Sequence, residues 1–131
     1  MDTLSTVHSF WRYGVLIAAV VGLVGALAAW LGALPARQTA RRAGLIYVIA
    51  LDAQVLIGIV LWVGKGGLAL PPPFRLEHPL TMILAAVAAH AGQVIARRAK
   101  VPQAAARTVA IAVAVSLVLV VLGIPGLVRG G

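Results

Sequence analysis

The chain has 131 residues, of which 62% are hydrophobic and only 11% are charged. A soluble domain carries about 25% charged residues, so an ordinary water-facing surface is excluded and the apolar excess must face lipid. The net charge is +8. The basic residues lie in short clusters between apolar runs, which argues against nucleic-acid binding. The sequence has no cysteine, which excludes disulfides, thiolate metal sites and iron–sulfur clusters.

Four apolar runs are each about as long as a bilayer crossing requires, which is roughly 20 residues. Because a backbone in lipid must satisfy its own hydrogen bonds, each run is predicted to be helical. Short loops favour antiparallel neighbours. The sequence therefore predicts an all-α protein, an integral membrane up-down-up-down four-helix bundle that forms one domain over residues 1–131. The predicted helices cover residues 7–34, 43–64, 77–98 and 106–124.

The distribution of basic residues predicts the orientation of the bundle. The loops after the first and third helices hold seven basic residues: Arg37, Arg41, Arg42, Arg97, Arg98, Lys100 and Arg107. The opposite end holds four, together with acidic Asp2 and Glu77: Arg12, Lys65, Arg75 and Arg129. Cytoplasmic loops collect Lys and Arg, so both termini and the proline-rich second loop are expected on the outer side.

Ionisable side chains inside a membrane are costly and are candidates for function. His8 opens the first predicted helix and His78 opens the third. These helices run in the same direction at diagonal corners of the bundle, so the two imidazoles are expected at similar depth. This arrangement suits a haem iron held between two histidines. Arg12 and Arg75 are placed to pair with haem propionates, since arginine matches carboxylate geometry.

Two interpretations of the same region stay open. His8 and His78 also fit ordinary polar residues at helix ends near the membrane surface, with Pro79 in the first turn of a helix. The small residues that share a face with the histidines are equally ambiguous. They either let the helices approach closely or leave a slot for a flat cofactor: Ala19 and Gly22 on the first helix, Ala85 and Ala89 on the third.

A second polar cluster is predicted deeper in the bundle. Asp52 on the second helix and His90 on the third reach similar depth and are expected to pair, with Gln54 and Gln93 nearby. Such a pair either serves as a proton or quinone site, in which Gln93 would take part, or fixes the register of two helices. Ser116 is expected to bond to its own helix backbone. No motif for hydrolysis or phosphate binding is present in the sequence.

Four segments carry a resemblance to a known group of proteins: HSFWRY, LDAQVLIGIVLW, EHPLTMILAAVAAHAGQ and LGIPG. From about His8 to Gly126 the chain resembles small bacterial four-helix membrane proteins of the cytochrome b type. The resemblance implies haem b bound inside the bundle of a bacterial inner-membrane protein. On that analogy His8 and His78 are the iron ligands, with His90 as the alternative. Larger b-type cytochromes often use four histidines for two haems, and three histidines cannot do so.

The expected function is therefore that of a b-type haem-binding electron-transfer subunit rather than a complete enzyme. It would work with other membrane subunits of a respiratory or photosynthetic complex and would exchange electrons with a quinone or with that complex. The alternatives are a structural accessory subunit without cofactor and a subunit that binds a chlorophyll-type pigment, because histidine also ligates magnesium in chlorins. A transporter is disfavoured because the sequence shows no evident internal repeat.

Overall fold

The computed structural model describes residues 2–72 and 74–124, and this part of the chain contains four long α-helices and no β-strand. Each of the four is long and apolar enough to cross a membrane. The predicted fold class, an all-α four-helix bundle of membrane-spanning length, is thus confirmed. The helices are α1 (Asp2–Trp30), α2 (Ala36–Gly64), α3 (Glu77–Arg98) and α4 (Pro102–Gly123), and a short 3-10 helix (Gly67–Ala69) lies between α2 and α3.

The helix bounds differ from the prediction mainly where polar residues are helical or where apolar residues are not. The second helix starts at Ala36 rather than 43. The segment before residue 43 is helical, but it is basic, so it does not belong to the apolar run from which the helix was predicted. The fourth starts at Pro102 rather than 106, since proline is well suited to the first turn of a helix. The first begins at Asp2 rather than 7 and ends at Trp30 rather than 34. The third matches its predicted bounds.

The early end of α1 has a local cause. The apolar run continues to Leu34, but Gly32 adopts a positive φ of 84°, a conformation that glycine reaches without steric cost. The chain therefore turns immediately after Trp30 and enters α2 within a few residues.

Pro125 and the residues after it, including Arg129 from the charge count, lie outside the described residues.

The helices pack as neighbours α1–α2 and α3–α4, and α4 also packs against both α1 and α2. The remaining neighbours are α2 and α3. Over the described residues, no Cα atom of α1 lies within 8 Å of a Cα atom of α3. The first and third helices thus occupy diagonally opposite corners of the bundle. The second and fourth helices occupy the other two corners and contact each other across the middle.

Small side chains form the helix contacts of the interior. A Cβ atom on Gly22 of α1 would lie 3.1 Å from the carbonyl oxygen of Ala43 on α2, and one on Gly92 of α3 would collide with Ala112 on α4. Gly22 therefore faces α2, and Gly92 faces α4. Close helix approach explains these two glycines, which is the first of the two interpretations of the small residues.

A buried chain of hydrogen bonds ties three helices together at the centre of the bundle. The Ser116 hydroxyl of α4 donates to the carbonyl oxygen of Ala85 on α3 at 2.8 Å. The Tyr47 hydroxyl of α2 must then donate to Ser116 Oγ, at 2.6 Å, because a hydroxyl has one proton. Both side chains are fully buried. The expectation that Ser116 bonds to its own helix is wrong, because the close approach of α3 and α4 brings a partner from another helix within reach.

The two ends of the bundle are each fixed by side-chain-to-backbone bonds. At the basic end, Arg37 at the start of α2 donates to the carbonyl oxygens of Ala96 and Ala99 at 3.3 and 2.7 Å, which satisfies the end of α3. At the opposite end, the Trp62 indole donates to the Arg75 carbonyl oxygen at 2.9 Å. The loops after α1 and α3 therefore lie together, as the orientation argument requires.

Candidate functional site

His8 and His78 come together at one end of the bundle. Their ring centroids lie 6.5 Å apart and their ring planes are nearly perpendicular, at 88°. His8 belongs to α1 and His78 to α3, whose Cα atoms nowhere approach within 8 Å over the described residues. The two side chains therefore reach across the gap between the diagonal helices, at one level of the bundle.

The position of His8 depends on its contacts with α2. A Cβ atom on Gly58 would lie 3.1 Å from His8 Cε1. The imidazole therefore packs against Gly58, and any larger residue at position 58 would crowd the ring. The Gln54 side-chain amide donates to the backbone carbonyl oxygen of His8 at 2.7 Å. One turn further along α1, the Trp11 indole donates to the Ala50 carbonyl oxygen at 2.8 Å. These bonds hold the start of α1 against α2 and aim His8 inward.

The position of His78 depends on the end of α4. Its Nδ1 atom lies 2.6 Å from the carbonyl oxygen of Gly123. A carbonyl oxygen only accepts, so Nδ1 carries the proton and, in the neutral ring, Nε2 keeps its lone pair. Gly123 is itself closely packed, since a Cβ atom there would lie 2.8 Å from Met82 Cε. The Phe74 ring stands edge-on to His78 at 6.3 Å between centroids.

All four long helices thus contribute to one small region: His8 from α1, Gly58 from α2, His78 from α3 and Gly123 from α4. Two buried polar atoms in the described chain have no hydrogen-bond partner, and both belong to this region: Nδ1 of His8 and Oε1 of Gln54. Buried polar groups are nearly always paired. A bound group, or a hydrogen bond between these two atoms themselves, would satisfy both of them.

The spacing of the two rings can be compared with that of two imidazoles bound to one metal atom. Metal–nitrogen bonds of about 2.0–2.1 Å on opposite sides of a metal place two imidazole centroids roughly 6–6.5 Å apart, close to the observed 6.5 Å. The bond from His78 Nδ1 to a backbone carbonyl is the usual arrangement for a ligating histidine. Among the described residues, no group of three or more His, Cys, Asp or Glu side chains is placed to bind a metal. Further ligands would have to come with the metal.

The two arginines expected near the haem differ in placement. Arg12 lies one turn after His8 on α1, and Lys65, just after α2, reaches α1 one turn before His8. The Arg12 guanidinium donates to the Tyr13 hydroxyl at 3.3 Å and stacks over its ring, while Lys65 donates to the Ser5 hydroxyl at 3.1 Å. Arg75 is exposed, and its described contact is the bond from Trp62 to its carbonyl oxygen. Positive charge is therefore present near His8. Lys65 contributes to it, although the sequence did not indicate this residue as part of the site.

Asp52 and His90 form a second polar cluster. His90 Nε2 lies 2.9 and 2.7 Å from the two carboxylate oxygens of Asp52, so the expected pairing is present. The side chains are 39% and 54% exposed, respectively. His90 is therefore engaged with α2 on the outer face of the bundle, while His78 points inward. This leaves His90 poorly placed as the alternative iron ligand.

The two glutamines do not join the Asp52–His90 pair. Gln54 bonds to His8. Gln93, predicted to belong to a proton or quinone site, packs against Gly44, and its amide approaches the Arg41 carbonyl oxygen at 3.5 Å. It lies one turn beyond His90 and faces the helix contact rather than the pair. Its described contacts are thus with the start of α2 and not with the pair, because a side chain three residues away on a helix can face a different neighbour.

Comparisons of the chain with known proteins give no match. No protein-family model matches it, and no characterised protein and no solved structure does so. The resemblance to proteins of the cytochrome b type stays a prediction from four short sequence segments. The functional argument therefore depends on the geometry of the side chains themselves.

Proposed function

We propose that the chain is a b-type haem-binding subunit for electron transfer in a membrane, in which His8 and His78 would hold one haem iron. The observation that carries the proposal is the 6.5 Å separation of the two rings. It joins side chains from helices that are otherwise separated, at a spacing that fits one metal atom between them.

The choice of haem over a bare metal ion follows from the number of ligands. A zinc or copper ion held by protein alone takes three or four side chains. The described residues offer two histidines here and no third His, Cys, Asp or Glu. A porphyrin would bring four nitrogens of its own, so His8 and His78 would be enough to hold its iron. This is the donor set that haem needs and that an isolated divalent ion lacks.

Each part of the site has a role in holding the ligands. The carbonyl of Gly123 fixes the His78 ring and makes Nε2 a stronger donor. Gly58 leaves the space that His8 occupies. The unpaired Oε1 of Gln54 is an acceptor suited to the unpaired Nδ1 of His8, which would give His8 the same support that His78 has. A bound haem supplies one-electron transfer, and the axial ligands and burial set its potential.

The charges around the site suit the acidic groups of a haem. Arg12 and Lys65 place positive charge on α1 within one turn of His8, Arg12 by its position and Lys65 by its bond to Ser5. Arginine binds carboxylates with two parallel hydrogen bonds, so Arg12 is the stronger candidate for a propionate. Arg75 precedes α3 at the same end of the bundle. Its side chain is exposed there, which makes Arg75 the second candidate.

The location of the site indicates where electrons would enter or leave. His8 lies about 9 Å along α1 from Asp2 at 1.5 Å per residue, and His78 is the second residue of α3. The excess of Lys and Arg at the other end predicts that this end faces outward. In this proposal the haem lies near the outer surface of the bacterial inner membrane, within reach of another subunit of a larger complex.

The decisive experiment is the absorption spectrum of the purified protein. The proposal predicts a reduced-minus-oxidised difference spectrum of b type and one haem per chain after extraction into alkaline pyridine. A colourless protein that co-purifies with a membrane complex would instead support the structural accessory subunit. A pigment that extracts as a magnesium chlorin would support the chlorophyll-type alternative. Either result would overturn the haem proposal.

A further inference from the structure

The pairing of Asp52 with His90 leaves an unusual surface on the outside of the bundle. The two groups join α2 and α3, yet their side chains are 39% and 54% exposed. A pair that merely fixes helix register would be expected inside the helix contact. Here the polar atoms lie on the face that a bilayer covers, where ionisable groups are costly and normally face protein or water.

The pair lies well inside the hydrocarbon rather than at the headgroups. His90 is about 10 Å along α3 from Arg97, and Asp52 is about 15 Å along α2 from Arg42, at 1.5 Å per residue. The basic residues mark the membrane surface. A phospholipid headgroup therefore does not reach the pair, and a ligand of these groups must itself dissolve in the membrane.

A groove between α2 and α3 begins at the pair. It is a shallow groove, largely open toward the lipid, that offers about 660 Å³, and its other walls are apolar; small-molecule sites usually offer about 300–1,000 Å³. Val55 and Ile59 form the α2 side, and Ile83, Val87 and Val94 form the α3 side. An apolar groove with a few convergent polar groups at one place is the common form of a site for a ring with polar substituents.

The hydrogen-bonding capacity of the pair defines the chemistry of the ligand. His90 Nε2 is committed to Asp52, so bonding to a ligand falls to Nδ1. That atom accepts a hydrogen bond when the ring is neutral and donates one when the ring is protonated. A quinol hydroxyl donates and a quinone carbonyl accepts, so both redox forms of a quinone find a partner here. Asp52 balances the charge of the protonated ring.

We propose that the groove between α2 and α3 binds a membrane quinone, with its ring at the Asp52–His90 pair and its tail along the apolar walls. This site is separate from His8 and His78, and it can be occupied whether or not haem is bound. The ligand enters from the lipid, which is why the groove opens on the outer face of the bundle.

The test uses the full chain in lipid nanodiscs and a photoreactive azidobenzoquinone that carries a decyl tail. After irradiation, mass spectrometry locates the labelled residues. We expect labels within 52–59 of α2 and 83–94 of α3, displaced by excess decylbenzoquinone but not by decylbenzene, which has the same tail and no oxygen. Labels spread evenly over the lipid-facing residues, without displacement, would overturn the proposal.

A matched pair of variants distinguishes the groove from the lipid surface in general. Val87 in the groove and Val118 on α4 are similarly exposed, at 58% and 57%. Val87→Phe should lower displaceable labelling at least fivefold, and Val118→Phe should leave it unchanged. His90→Phe keeps a ring of similar size, removes both nitrogens and should also lower labelling at least fivefold. Circular dichroism shows that each variant is folded. Equal labelling of a folded Val87→Phe variant and the unaltered chain would contradict the assignment.

Discussion

The Nδ1 atom of His78 on α3 lies 2.6 Å from the carbonyl oxygen of Gly123 at the end of α4. This contact decides how the imidazole is used, because it commits one ring nitrogen to the backbone and leaves the other for a ligand. The ring centroid of His8 lies 6.5 Å from that of His78. The end of α4 therefore takes part in the site although it contributes no side chain to it.

Replacement of either histidine should remove the haem. His8→Ala and His78→Ala each delete one of two axial ligands, and we expect each to lower the haem content of the purified protein at least tenfold. His90→Ala is the matched control, since His90 bonds to Asp52 on the outer face, and it should keep the haem. Pyridine extraction measures the content. Full haem in both of the first two variants would show that other residues bind the iron.

Gly58 should be sensitive to the addition of one methyl group. A Cβ atom there would lie 3.1 Å from His8 Cε1, so Gly58→Ala should displace the His8 ring, weaken haem retention several-fold and shift the absorption bands. Gly14→Ala is the control, because its Cβ would meet Trp11 at an ordinary 3.4 Å. Both changes favour helix formation equally. Identical haem retention in the two variants would show that Gly58 does not position His8.

The buried bonds of Tyr47 and Ser116 predict unequal losses of stability. Tyr47→Phe removes one bond but leaves Ser116 bonded to Ala85, and should cost about 0.5–1 kcal/mol, the usual range for hydrogen bonds between membrane helices. Ser116→Ala leaves the Tyr47 hydroxyl buried without a partner and should cost about 1–3 kcal/mol. Unfolding in mixed micelles measures both.

The double variant provides the internal check on these two bonds. With both groups removed, no buried hydroxyl is left unpaired, so Tyr47→Phe combined with Ser116→Ala should be less destabilising than the sum of the single changes. A strictly additive result would indicate that the two side chains do not interact.

The orientation of the bundle can be tested with single cysteines, since the chain has none of its own. Leu68 is exposed in the connection between α2 and α3, and Lys100 is exposed between α3 and α4. We expect a membrane-impermeant thiol reagent to label Leu68→Cys in intact cells and Lys100→Cys only after the cells are opened. The reverse pattern would show that the basic end faces outward.

Composition and hydropathy suffice to predict the four helices, because lipid exposure demands long apolar runs with internal backbone bonding. The predicted end of α1 was wrong because a single φ at Gly32 turns the chain while the apolar run continues. The start of α2 was missed because a basic helical turn lies beyond the apolar span. Hydropathy therefore predicts the segment that crosses the membrane, and not the full length of the helix that contains it.

The sequence also places His8 near His78, and Asp52 near His90, because equal depth follows from helix direction and residue count. It does not show that Gly58 and the Gly123 carbonyl support the histidines, since both depend on the rotation of α2 and α4 about their axes. The Tyr47–Ser116 bond was missed for the same reason. A tyrosine in the middle of an apolar helix, away from either membrane surface, was the signal that could have indicated a buried partner.

The most direct test of the central claim is the electron paramagnetic resonance spectrum of the oxidised protein, which reports the ligands of a ferric haem. Two imidazoles on one iron predict a low-spin signal, and ring planes 88° apart predict the strongly anisotropic form of that signal rather than the rhombic form of parallel rings. A high-spin ferric signal, or no haem signal at all, would contradict the assignment of His8 and His78 as axial ligands.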